Sequence, residues 1–211
     1  MSSKKKTSDR EAKLAEARRQ AKAADRRRSL LLAGASALVI ALIAGAVGYA
    51  IFSERDDRKA AGDLTGVKTF DYKGGNHVDG KIDYKESPPA GGEHNAVWLN
   101  CGTYDEPVPN EHAVHALEHG AVWITYEPGL AKDDVKKLDD ALPDTYTVLS
   151  PYEGDMPGPI VLSAWDHQLT VESADDPRIK GFIKEYRQGK QTPEPGAACT
   201  GGVTPETSLV K

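Results

Sequence analysis

The hydrophobic positions of this chain fall into one long apolar run near the N-terminus and several short apolar segments after it. Residues 30–52 contain no charged side chain and consist mainly of Leu, Ile, Val, Ala and Gly. A helix rises about 1.5 Å per residue, so a run of this length matches a hydrocarbon core about 30 Å thick. The pattern predicts a single transmembrane helix over residues 29–52.

The later apolar segments predict a separate folded domain. Strands are expected at Ala121–Tyr126, Tyr146–Ser150 and Pro159–Trp165, where β-branched and aromatic residues are concentrated between Pro and Gly. Helices are expected at Asp133–Leu142 and Ile179–Tyr186, where apolar residues recur at helical spacing. This order of elements indicates an α+β fold, with a mixed or antiparallel sheet and helices on one face, preceded by the transmembrane helix.

Shifts in composition divide the chain into five parts. A charged stretch follows the apolar run, and a segment rich in Pro and Gly leads to the C-terminus. The parts are a basic cytoplasmic tail (1–28), the transmembrane helix (29–52), a linker (53–75), the α+β domain (76–199) and an irregular tail (200–211).

The distribution of charge predicts the orientation of the chain in a membrane. Residues 1–28 hold 11 Lys and Arg against 4 Asp and Glu, a net charge of +7, which leaves −12 for the remainder of the total of −5. Positive residues stay on the cytoplasmic side of a membrane helix. We therefore expect a single-pass protein of the plasma membrane, with residues 30–52 in the lipid bilayer, the N-terminus in the cytoplasm and the C-terminal domain outside it.

Two alternatives concern this N-terminal region. The first is a cleaved export signal, because Arg27 and Arg28 precede the apolar run as in a twin-arginine signal, although the run is long for one. The second is nucleic-acid binding by the basic tail. A tail that mixes acidic with basic residues and contains no aromatic residue is more typical of a solvated segment beside anionic lipid headgroups, so no nucleic-acid partner is predicted.

The chain has two cysteines, Cys101 and Cys199, and both follow the apolar run. In an oxidising compartment outside the cytoplasm a disulfide between them would persist. Metal binding by one or both thiols, or free thiols, are the alternatives. The compartment favours the disulfide.

The segment Glu111–Gly120 contains three of the six histidines of the chain. It predicts a short helix with Asn110 as the N-cap and Gly120 just after the C-terminus. In that helix His115 and His119 lie one turn apart on the same face. Two imidazoles at this spacing can bind one metal ion.

Glu118 lies between the two paired histidines in the order His-x-x-Glu-His. This order resembles the inverted zincin motif, in which the glutamate is the general base for a metal-bound water. Alternatively, Glu118 is an ion-pair partner or orients an imidazole, and His119 interacts with the helix dipole. His112, near the start of the helix, is expected to be exposed.

Two further histidines are candidate ligands. His94 follows the loop Ser87–Gly92, whose Pro and Gly residues exclude a helix or a central strand, and His77 precedes that loop. A loop of this kind is a rigid support for a ligand. A network of hydrogen bonds without metal is the structural alternative for the whole set.

Four short motifs resemble a known family. They are Gly-Gly-x-His at 91–94, Cys-Gly-x-Tyr at 101–104, Val-His-x-Leu-Glu-His-Gly at 114–120 and Ser-Ala-Trp at 163–165. Together they resemble a group of bacterial, membrane-anchored proteins, typical of actinobacteria, described as domain of unknown function 3105. The resemblance covers about residues 66–199. It implies a shared site at the positions of His77, His94, His115, Glu118 and His119, with His112 outside it, and it implies no particular activity.

These observations predict an extracytoplasmic domain that binds a transition metal, zinc or copper, through His115, His119 and His94, with His77 or Glu118 completing the ligand set. The role expected is metal binding or handling at the cell envelope, including copper homeostasis. One alternative is a metal-dependent hydrolase with Glu118 as its general base. Another is a structural or partner-binding module of a membrane complex.

Overall fold

The computed structural model describes residue 22, residues 38–49 and residues 64–208. Residues 38–49 are helical and are named α1. They lie inside the predicted membrane span, and the remainder of that span, the rest of the basic tail and most of the linker lie outside the described residues. Among the residues described, no helix is both long and apolar enough to cross a membrane.

The chain divides into two compact units, Met1–Arg55 and Asp56–Lys211. The second unit is built on one six-stranded sheet with the strand order β1-β6-β5-β3-β4-β2. β3 and β2 both pair with β4 in parallel, and the other pairs are antiparallel. Of the two predicted alternatives, a mixed or an antiparallel sheet, the structure has the mixed one. The strands are β1 (Lys68–Thr69), β2 (Gly102–Thr103), β3 (Val122–Tyr126), β4 (Thr147–Pro151), β5 (Ile160–Ala164) and β6 (His167–Val171).

Three α-helices accompany the sheet, and each lies within about two residues of the predicted position. They are α2 (Asn110–Glu118), α3 (Lys132–Asp140) and α4 (Arg178–Tyr186), and a 3₁₀ turn, Pro205–Thr207, follows them. The helices occupy both faces of the sheet, which corrects the prediction that they share one face.

The apolar residues on one face pack against α3 and α4. Val122 and Ile124 point to this face, because alternate residues of a strand point in the same direction. There they belong to one buried cluster with Leu138 of α3 and Phe182 of α4. This cluster is the larger of the two hydrophobic cores of the domain.

The opposite face carries α2. Trp123, which lies between the two residues that face α3 and α4, belongs to a second cluster with Ala113 and Leu117 of α2. All residues from Glu111 to Glu118 are buried, including the polar ones. Because α2 is covered by the sheet on one side and by loops on the other, it places histidines and a carboxylate in the interior.

Gly120 ends α2 with a positive φ of +95°. Its N–H donates to the carbonyl of Leu117. Gly120 therefore occupies the C′ position just after the helix, as predicted. The N-cap is Pro109, one residue before the predicted Asn110, and Asn110 is the first helical residue.

We expect Gly120→Ala to lower the free energy of unfolding by about 1 to 3 kcal/mol. A Cβ at this position would lie 2.3 Å from the Nε2 atom of Gln188, and its φ is one that side chains disfavour. Denaturant unfolding of the variant measures the loss. Gly129→Ala is the matched control, because a Cβ there meets nothing within 4 Å, so a variant as stable as this control would contradict the prediction.

Candidate metal centre

Two loop segments bring His77 and His94 side by side. The residues form an isolated parallel bridge, in which the N–H of Val78 donates to the carbonyl of His94 at 2.8 Å. Gly91 and Gly92, just before His94, both have positive φ values, and a Cβ on Gly91 would collide with the ring of Tyr72. The Pro and Gly residues of this loop therefore allow the close approach that aims His94 at α2.

The side chains of four residues converge between this bridge and α2. One ligand atom from each of His77, His94, His115 and Glu118 lies within 4.8 Å of the other three. His94 and Glu118 have no exposed surface and His115 is 3% exposed, whereas the His77 side chain is 39% exposed. The cluster could hold a metal ion, with His77 on the solvent side.

Backbone carbonyls fix the orientation of three imidazoles. A carbonyl only accepts hydrogen bonds, so each Nδ1 that contacts one must carry the proton, and each Nε2 of a neutral ring then carries a lone pair. Histidines that bind metal are typically held in this way. The pairs are His94 with Gly92 at 2.8 Å, His115 with Asn95 at 2.6 Å and His119 with Ala198 at 2.7 Å.

Glu118 is held from the other side. The N–H of Gly75 donates to its Oε1 atom, while its Oε2 atom lies 2.9 Å from His94 Nε2 and 3.7 Å from His77 Nε2. Burial alone would raise the pKa of Glu118, but the contact with His94 and the hydrogen bond from the Gly75 N–H lower that pKa to about 2. The carboxylate is therefore ionised and directs one oxygen into the cluster.

His115 is neutral at physiological pH. Burial and, to a smaller extent, the neighbouring imidazoles lower the pKa of His115 to about 4, against the opposing effect of the hydrogen bond to the Asn95 carbonyl. A neutral imidazole is the form that binds metal.

The spacing of the ligand atoms is compatible with one ion. Two atoms each about 2.05 Å from an ion subtend about 90° when they are 2.9 Å apart, as His94 Nε2 and Glu118 Oε2 are. The 3.7 Å between His77 Nε2 and Glu118 Oε2 corresponds to about 130°. Two ligand atoms on opposite sides of an ion lie about 4.1 Å apart. The four ligand atoms lie within 4.8 Å of one another, so the most distant two need to approach by less than about 1 Å.

His119 lies next to this group and outside it. Its Nε2 atom is 2.9 Å from the Nε2 atom of His115 and 3.5 Å from the Oε2 atom of Glu194. The predicted pair His115 and His119 is thus close in space, while the group of four contains His77 and Glu118 together with His94 and His115.

The expectation that His112 is exposed was wrong. This residue is 2% exposed, its Nδ1 atom donates to the carbonyl of Val97, and its Nε2 atom has no hydrogen-bond partner among the described residues. The segment that follows His94 covers this side of α2, as the hydrogen bond from the Leu99 N–H to the His112 carbonyl shows. The sequence of α2 alone does not reveal that cover.

Two parts of the site were not predicted. Gly74 and Gly75 form a close support for Glu118, because a Cβ on Gly74 would lie 2.8 Å from its Oε1 atom. The two adjacent glycines are a sequence signal for a close backbone contact, but they were assigned to the predicted linker. Glu194, in the irregular segment before Cys199, gave no sequence signal at all.

Cys101 and Cys199 form the predicted disulfide. The N–H of Cys101 also donates to the carbonyl of Cys199 at 2.8 Å. Because Ala198, which precedes Cys199, supplies the carbonyl that holds His119, the disulfide fixes the C-terminal segment against the histidine cluster.

Comparison with known proteins agrees with the family resemblance. No curated protein matches the chain, and no solved structure does. The model of a family described as protein of unknown function (DUF3105) matches residues 77–201. This match spans more than half of the chain and includes the four converging ligand residues, His119 and both cysteines. The chain therefore belongs to the DUF3105 family.

Proposed function

We propose that the domain binds one transition metal ion, zinc or copper, through His77, His94, His115 and Glu118. The observation that carries this proposal is the convergence of three imidazoles and one carboxylate oxygen on a buried point. The rings of His94 and His115 have their Nδ1 protons committed to carbonyls, so the atoms that meet are Nε2 lone pairs and an anionic oxygen. Such atoms repel one another unless a cation or additional protons lie between them.

The ligand types favour these two metals. Imidazole suits zinc and copper, and a single carboxylate balances part of the charge of a divalent ion. Three of the four ligand residues are buried, so the ion would be largely removed from water. A closed site with four protein ligands is typical of metal binding, whereas a catalytic site usually keeps one position open.

The role we propose is metal binding or handling at the cell envelope, including copper homeostasis. In this proposal residues 30–52 anchor the chain in the plasma membrane and the domain lies outside the cytoplasm. The charge-free apolar run and the basic residues before it support this location. The Cys101–Cys199 disulfide also supports it, because disulfides persist in oxidising compartments.

The contacts of Glu118 support a ligand role over that of a general base. Its Oε1 atom accepts from Gly75 and its Oε2 atom points at His94 and His77, so both oxygens are engaged within the cluster. A general base needs an oxygen within hydrogen-bond reach of the attacking water. The hydrolase and the metal-free structural module remain alternatives, and the Glu118 variant described below separates them.

Metal content of the purified full chain tests the proposal. We expect about one equivalent of zinc or copper in the wild type, because one cluster holds one ion, and loss of that metal on dialysis of His94→Ala. His167→Ala is the matched control, because His167 lies on β6, where its ring stacks on Tyr186. A wild type that contains no metal, and whose thermal stability does not respond to added zinc or copper, would overturn the proposal.

A further inference from the structure

The Nε2 atom of His115, which belongs to the proposed metal site, is also part of a second group of three atoms. The Nε2 atoms of His115 and His119 are 2.9 Å apart, and the Oε2 atom of Glu194 lies 3.5 Å from that of His119. In both imidazoles the Nδ1–H group donates a hydrogen bond to a backbone carbonyl. Two lone pairs therefore face each other next to a carboxylate, which is an arrangement that attracts a cation.

The two distances from His119 Nε2 to the other two atoms match those between ligands on one ion. With bonds of about 2.05 Å, a separation of 2.9 Å corresponds to an angle of about 90° at the ion. The separation of 3.5 Å between His119 and Glu194 corresponds to about 120°. The ring of Trp98 packs against both imidazoles, with centroid distances of 5.8 Å to His115 and 5.1 Å to His119, and holds them in place.

Glu194 is the solvent-exposed residue of the second group. The Glu194 side chain is 48% exposed, whereas His119 is 4% exposed and Glu118, the carboxylate of the first group, is fully buried. A cation that approaches the domain therefore meets an accessible negative charge at Glu194 before it meets Glu118. Exposed charges of this kind raise the rate at which oppositely charged ligands associate.

Building on the proposed function, we propose that His115, His119 and Glu194 form an outer metal site that shares His115 with the inner site and passes the ion to it. The single lone pair on His115 Nε2 binds one ion at a time, so the two sites are not filled together. On transfer, the bonds from the ion to His119 and Glu194 break, and bonds to His77, His94 and Glu118 form. No electron moves, and a proton held between the inner ligands is released to water as the ion takes its place. The inner site has one more ligand, so the ion rests there.

The experiment measures the rate and the affinity of metal binding separately. Co²⁺ is mixed rapidly with the metal-free full chain and its visible absorption follows binding, while competition with a chelator gives the dissociation constant. We expect Glu194→Gln to slow association by about tenfold, with a dissociation constant within about threefold of the wild type, because the ion enters and leaves by the same route. Glu185→Gln, the same charge change on α4, should leave both quantities unchanged.

A second variant and three outcomes make the test decisive. His119→Gln should also slow association while the affinity stays close to that of the wild type. Unchanged association rates in both variants would overturn the outer site. A large loss of affinity in both variants would also overturn it, because His119 and Glu194 would then be permanent ligands of one site. A wild type that binds no Co²⁺, Zn²⁺ or Cu²⁺ would instead refute the proposed function itself.

Discussion

Glu118→Gln is expected to weaken metal binding by more than about 100-fold while the metal-free domain stays folded. The substitution keeps the shape of the side chain and an oxygen that accepts from Gly75. Its amide can donate to the Nε2 lone pair of His94, which lies 2.9 Å from the present Oε2 atom. The variant thus removes the negative charge, yet it leaves neither the Gly75 N–H nor the His94 Nε2 atom without a partner.

Thermal or denaturant unfolding with and without metal measures this effect. At a free metal concentration about 1,000 times the dissociation constant, the wild type gains about 4 kcal/mol, whereas a variant that binds 100-fold more weakly gains about 1.4 kcal/mol. Aspartate or alanine at this position would be a poorer test, because either would leave the Gly75 N–H or His94 without its partner.

The same variant separates the alternatives. If Glu118 were the general base of a hydrolase, affinity would remain within about tenfold of the wild type while turnover was lost. If the domain were a metal-free structural module, added metal would stabilise neither protein. Affinity equal to that of the wild type, in the absence of any turnover, would contradict the assignment of Glu118 as a ligand.

Loss of the disulfide is the second large effect that we expect. The double variant Cys101→Ser, Cys199→Ser should lose about 2 to 5 kcal/mol of unfolding free energy, because the bond closes a long loop in the unfolded chain. The sequence separation is 98 residues. The bond also joins the segment after His94 to the segment that carries Glu194, and both segments cover α2.

Denaturant unfolding of the metal-free proteins measures this loss. Wild-type protein treated with a dithiol reductant should be destabilised to the same extent as the double variant, which provides an internal control. We also expect the double variant to bind Co²⁺ more slowly, since the segment that supplies the Ala198 carbonyl to His119 is no longer tethered. A stability within about 0.5 kcal/mol of the wild type, the range of ordinary surface substitutions, would contradict the prediction.

Local elements of the fold were predictable because their signals are periodic and short in range. The helix that ends at Gly120 and the apolar strands after it were found within one or two residues. β6 was missed because the turn before it contains no Gly or Pro. Asp166 adopts a φ of +63° there, so β5 and β6 are joined by a turn that composition does not reveal.

The candidate site was predictable only in part. The spacing of His115 and His119 fixes two imidazoles on one face of a helix, whatever the rest of the chain does. The residues that these two imidazoles meet in the fold could not be predicted, because those contacts are made by segments distant in the sequence. Glu118 reaches across 24 residues to His94 and 43 residues to Gly75.

The sequence by itself determined a helix that carries histidines and a carboxylate, several apolar strands and a pair of cysteines beyond an apolar run. The tertiary structure decided that α2 lies on the face opposite α3 and α4, that His112 is buried, and that Glu194 stands beside His119. The physical reason is that helix and strand geometry fixes neighbours a few residues apart. Contacts between distant segments instead depend on how loops such as the one before His94 close and on which surfaces they bury.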